Sequence, residues 1–241
     1  MKKTFISLLA LSLTVGLAAC STVPEATATA TATTPTQYES EVVQEALAGG
    51  WTINKDNSLT SMPQDVATAW YGAVTDDKYV PVALLGTQVV AGINYMFLAK
   101  DSNGNLCTVV IYSDLQGNSS ILKESPFDLI AMVSSDGSNT PTGLAGGYTV
   151  NPDTDKMADV SAEDKDIFNR ALNGTLGVTY APVTVLATQV VAGQNIAYLA
   201  TGTSATQNAE TNLYVVSIYR DLDNNVSVNN ICAVNLAMLT E

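Results

Sequence analysis

The chain contains no histidine. Nucleophilic arrangements of the Ser-His-Asp and Cys-His kinds therefore have no base, and the commonest zinc ligand is missing. Cys107 and Cys232 fall in stretches that read as strands, with no plausible base near them in sequence. Asp153-Thr154-Asp155 and Asp221-Leu222-Asp223 gather carboxylates. Neither has the ligand spacing of a calcium loop, and aspartate serves surface turns far more often. No phosphate loop or dinucleotide fingerprint is present. These residues predict a protein that is not an enzyme, with no cofactor and no metal site. What remains is suited to contact rather than to reaction: Gln88-Val89-Val90-Ala91-Gly92 and its recurrence, Gln189-Val190-Val191-Ala192-Gly193. Glycine permits torsions and close approach that a side chain forbids. Valine and alanine make a compact apolar tip, and a glutamine amide can bond to backbone groups across a hairpin and stiffen it.

That recurrence is one of several. Leu47-Ala48-Gly49-Gly50 returns as Leu144-Ala145-Gly146-Gly147, and Tyr79-x-Pro81-Val82 as Tyr180-x-Pro182-Val183. Ile111-Tyr112-x-Asp114-Leu115 returns as Ile218-Tyr219-x-Asp221-Leu222. The order is the same in both halves. Two copies are too few for a solenoid, and each is long enough to bury a core of its own, so tandem domains are expected.

Each copy needs the same elements to position its Gln-Val-Val-Ala-Gly segment. A short strand follows the double glycine. A helix comes next. In the second copy, Ser161 with Asp164 resembles a capping box, Ile167, Phe168, Ala171 and Leu172 share one face, and Gly174 stands at the C-cap. In the first, Pro63 suits a helix start, and Val66, Trp70 and Val74 line one face. Three or four strands follow, rich in Val, Ile, Tyr and Leu, with turns at 101–105, 116–118 and 223–225. Pro81 and Pro182 cannot donate to a ladder, so each should start or edge its strand. One helix on an antiparallel meander is an α+β arrangement. The expected layout is a signal peptide over 1–19, a tether over 20–40, a first domain over 41–133, a Ser/Gly/Asn-rich linker over 134–142 and a second domain over 143–241.

A Leu-x-Gly before the first strand, a single helix and a hairpin carrying Gln-Val-Val-Ala-Gly together resemble the cystatins, protein inhibitors of papain-like cysteine proteases. The resemblance runs from about Gln44 to the end. It implies two tandem cystatin-like domains, each one helix packed on a four- to five-stranded antiparallel sheet. It also implies a competitive wedge that fills the protease cleft. Carried over motif by motif, the loops are Gln88, Val89, Val90, Ala91 and Gly92, and Gln189, Val190, Val191, Ala192 and Gly193. The trunks are Leu47, Ala48 and Gly49, and Leu144, Ala145 and Gly146. The family's second hairpin usually carries Pro-Trp. Here Leu115 and Leu222 stand in that region, and both tryptophans are elsewhere. Loss of a tryptophan anchor can cost about 2 kcal/mol or more, roughly 30-fold or worse in affinity. A non-inhibitory binding or scaffold module is the alternative expectation.

The first residues read as an export signal. Met1-Lys2-Lys3 is positive, the apolar run to Gly16 is too short for a membrane span, and Leu17-Ala18-Ala19-Cys20 resembles a lipobox. Cys20 is the expected lipid attachment, making the protein exported and held to the cell membrane or outer membrane through the lipid alone. The Ser/Thr/Ala segment after it has too few large apolar groups to fold. The formal net charge of −13 excludes a nucleic-acid partner and a polybasic membrane patch. Cys107 and Cys232 occupy unmatched positions in the repeats. They read either as a bridge between halves or as two free thiols acting as small hydrophobes.

Overall fold

The computed structural model describes residues 50–53, 59–134, 147–152, 157 and 160–240, all within one compact unit. The first half runs β1 (Trp51–Ile53), α1 (Gln64–Ala73), β2 (Tyr79–Val90), β3 (Gly92–Asp101), β4 (Leu106–Ser113), β5 (Ser119–Pro126) and a short α2 (Leu129–Val133). The second runs β6 (Thr149–Val150), α3 (Ala162–Ala171), β7 (Val178–Val191), β8 (Gly193–Ser204), β9 (Thr211–Arg220) and β10 (Val226–Val234), closed by a 3-10 turn at Met238–Thr240. Each half makes a five-stranded antiparallel sheet in chain order, β1 to β5 and β6 to β10.

The strands are apolar on both faces. Met96, Phe97, Leu98 and Ala99 are buried without a break, as are Val109, Val110 and Ile111, and Ile196 to Ala200. A sheet of this kind must be covered on two sides. On the outer face of the first sheet α1 lays Val66, Ala69 and Trp70 against Tyr95, Phe97, Val109 and Ile111. Trp70 meets Phe97 edge-on, centroids 4.6 Å apart. α3 does the same for the second sheet with Ile167 and Phe168, and Phe168 meets Tyr198 edge-on at 5.2 Å. The inner faces cover each other. One cluster joins Leu85, Met96 and Leu98 of the first sheet to Leu186, Leu199 and Val215 of the second.

The halves also exchange their ends. α2 of the first half lies against β9 and β10, and Asn230 Nδ2 donates to the Met132 carbonyl at 2.8 Å. The C-terminal turn of the second half lies against β5, where the Lys123 ammonium donates to the Thr240 carbonyl. Leu236 passes Gly86 so closely that a Cβ there would stand 2.7 Å from its Cδ1.

The expectation of two tandem cystatin-like domains, each a helix on its own sheet, is therefore overturned. Among the described residues the chain is mostly β, ten strands in two five-stranded antiparallel sheets with only three short α-helices. One apolar cluster is shared by both halves, and each half keeps a second cluster beneath its own helix. The physical reason is the second apolar face: one ten-residue helix covers one side of its sheet, and the other side is buried only by the opposite half.

Local expectations fare differently. Ser161 Oγ accepts from Asp164 N at 3.0 Å and donates to Asp164 Oδ2 at 2.6 Å, a closed N-terminal cap on α3. Pro81 and Pro182 lie inside β2 and β7 rather than at their starts, each beside a register shift. Among the described residues β1 and β6 pair only further along, at 86–88 and 187–188, so on that side each proline lies at a sheet edge.

Candidate functional site

Only Ala91 separates β2 from β3, and only Ala192 separates β7 from β8. A hairpin this tight forces the backbone at its corner. Gly92 has φ +129° and Gly193 +120°, outside the range of ordinary L residues. A Cβ on Gly92 would also stand 2.8 Å from the Tyr112 ring and closer still to the Ser113 carbonyl, and Gly193 is wedged likewise against Tyr219 and Arg220. Two requirements, torsion and close approach, thus fix the last residue of each Gln-Val-Val-Ala-Gly segment.

Three more groups hold each tip. Tyr112 Oη donates to the Ala91 carbonyl at 2.5 Å, and Tyr219 Oη donates to that of Ala192. Gln88 Oε1 accepts from Asn94 Nδ2 at 2.7 Å, and Gln189 Oε1 accepts from Asn195 Nδ2 at 2.7 Å. The glutamine thus bonds across the hairpin to an asparagine side chain. The register accounts for it, since Gln88 faces Asn94 and Gln189 faces Asn195.

A second hairpin stands beside each first one, because Ile93 pairs with Ser113 and Gln194 with Arg220. Its turn is built by one aspartate. Asp114 Oδ1 accepts from Gln116 N and Asn118 N at 2.9 and 2.8 Å, and Oδ2 accepts from Asn118 Nδ2 at 2.8 Å. Asp221 repeats this with Asp223 N, Asn225 N and Asn225 Nδ2. The Asn118 side chain, then nearby backbone N–H groups, hold the Asp114 carboxyl below its ordinary pKa, and Asn225 does the same for Asp221. With its oxygens so occupied, Asp221 serves a turn. Among the described residues no group of three or more metal-ligating side chains occurs. Asp153 and Asp155 lie outside the described residues.

The result at the end of each sheet is two adjoining stiff tips bearing exposed aliphatic side chains. Val89 is 71% exposed and Leu115 80%; Val190 is 71% exposed and Leu222 84%. Such exposure of large apolar groups on rigid corners is what contact with another protein would use. The trunk residues Leu47, Ala48, Gly49, Leu144, Ala145 and Gly146 lie outside the described residues, as does Cys20, so the structure does not relate them to the tips. Sequence reasoning missed Asn94 and Asn195, although each stands two residues beyond the repeated glycine. It also passed over Tyr112 and Tyr219, although both sit in a repeated motif.

The two remaining thiols are free and half-buried, and burial pushes both up in pKa, Cys107 to about 11. Cys107 flanks the α1 side of the first sheet. A thiol so hard to ionise is a poor nucleophile. Among the described residues no helix is long and apolar enough to cross a membrane.

No protein-family model and no curated protein matches this chain.

Proposed function

We propose that this is an exported, lipid-anchored inhibitor of papain-like cysteine proteases that blocks the substrate cleft with its paired hairpin tips. The observation that carries the reading is the tip itself: Val89 and Val190 stand exposed on corners fixed by Gly92 and Gly193 and clamped by Tyr112 and Tyr219. A convex apolar point that is already rigid loses little entropy on entering a concave site. The likeness of Gln-Val-Val-Ala-Gly to the cystatin loop supplies the class of partner. Lipid attachment at Cys20 and the Ser/Thr/Ala tether would place the tips away from the membrane. A second reading, a non-inhibitory binding module, is favoured by one feature. Leu115 and Leu222 occupy the second hairpins in place of Pro-Trp. With those anchors missing, inhibition is expected near micromolar, about 4 kcal/mol short of a nanomolar inhibitor.

The test is steady-state inhibition of papain by the purified chain. Reversible competitive inhibition that vanishes in the Val89→Asp/Val190→Asp double variant supports the proposal. A folded chain that leaves papain untouched at high micromolar concentration overturns it in favour of the binding module.

A further inference from the structure

The two tips share one face and differ on the other. Toward the common core their side chains match, glutamine, asparagine and tyrosine in both sheets. On the face turned toward the helices, register places Val89, Ile93 and Ser113 in one row of the first sheet. The same row of the second sheet holds Val190, Gln194 and Arg220. Thus an exposed apolar patch of Val89 and Ile93 in one copy becomes a charged patch in the other.

Arg220 is organised there. Its Nη1 donates to Glu163 Oε1 on α3 at 3.0 Å and its Nη2 to Gln194 Oε1 at 2.8 Å. The arginine side chain is only 27% exposed, the glutamate 76%. Together they line a shallow hollow of about 430 Å³ that reaches Leu222 at the neighbouring tip. A partner pressing on the same row of the first tip meets two aliphatic side chains and the Ser113 hydroxyl, with no charge in that row. The same approach to the second tip takes an ion pair out of water, and apolar neighbours do not compensate that loss. A charge left unpaired against an apolar wall disfavours the wrong partner, as apolar contact alone does not.

We infer that Arg220, with Gln194, is the specificity-determining residue of the second tip, so that the two copies take clefts of different chemistry. The first accepts an apolar rim. The second requires a rim with hydrogen-bonding groups that can reach the guanidinium and Glu163. This inference rests on the cleft-blocking reading.

The experiment uses the full chain and active-site-blocked papain, with binding followed by calorimetry. Val190→Asp leaves the first tip as the competent one, and Val89→Asp leaves the second. The two chains should differ in Kd by at least tenfold. Adding Gln194→Ile and Arg220→Ser to the Val89→Asp chain should bring its Kd within threefold of the first tip's. The reciprocal change, Ile93→Gln with Ser113→Arg in the Val190→Asp chain, should move the first tip's Kd toward that of the second and leaves α3 untouched. Equal Kd values in the two single-tip chains, or a gap that the exchanges leave open, overturn the inference while leaving cleft-blocking intact. Absence of binding by either chain overturns cleft-blocking and the inference with it.

Discussion

Replacing Gly92 by alanine separates torsional strain from close approach. At φ +129° an L residue is strained, a cost of about 1–3 kcal/mol. The new Cβ would also overlap the Ser113 carbonyl and come within 2.8 Å of the Tyr112 ring. Relieving that overlap pushes Tyr112 off the Ala91 carbonyl, a further loss of about 0.5–1.5 kcal/mol. The expected total is about 2–4 kcal/mol. Gly117 is the control. It too has positive φ, +86°, but nothing lies within 4 Å of its missing Cβ. Alanine there meets only left-handed strain of about 1–2 kcal/mol, partly offset by a stiffer unfolded chain. Urea unfolding followed by tryptophan fluorescence should therefore place Gly92→Ala about 2 kcal/mol below Gly117→Ala. Equal midpoints for the two variants would refute the claim that the tip is fixed by packing as well as by torsion.

Other consequences can be checked on the same chain. Asn94 Oδ1 is buried without a partner, whereas Asn195 Oδ1 accepts from Asn229 at 3.0 Å. Leu122 falls at the register shift in β5 that Asn229 occupies in β10. Leu122→Asn should therefore stabilise the protein by about 1 kcal/mol, read as a higher urea midpoint, despite adding a polar group. Leu199→Ala, in the second half, should cost about 2–5 kcal/mol and lower the midpoint reported by Trp51 and Trp70, both in the first half. Two independent domains would leave that signal unmoved. The carboxyls of Asp101, Asp114 and Asp221 are held below their ordinary pKa in the folded state. Their contribution is present above the unfolded aspartate pKa, about 3.9, and is lost as pH falls through the depressed folded values. Amide shifts of Asn105, Asn118 and Asn225 should move in that acidic window and stay flat between pH 5 and 8.

Much of the local structure is legible in the sequence. The repeated Gln-Val-Val-Ala-Gly segments bracket tight hairpins, and Ser161 with Asp164 marks the start of α3. The aspartate turns follow from Asp114 and Asp221 with an asparagine four residues on. The packing of the two sheets was also present as a signal, but its meaning was missed. Tyr95 to Ala99 and Ile196 to Ala200 are apolar without alternation, so both faces of each sheet need cover. Among the described residues each copy offers one ten-residue helix, and the second cover is the other copy. Repeats alone cannot show this, since duplicated segments look the same whether they fold side by side or face to face. The orphan at Asn94 and the Arg220–Glu163 pair were not legible either. Both depend on which residues the register sets opposite each other, and single-residue shifts such as that at Leu122 are invisible to periodicity.

Papain inhibition by the full chain tests the central claim most directly. The account predicts competitive, reversible inhibition with a constant near micromolar, abolished by Val89→Asp/Val190→Asp without loss of the folded state. Equal inhibition by the double variant, or none by the native chain at high micromolar concentration, would contradict it.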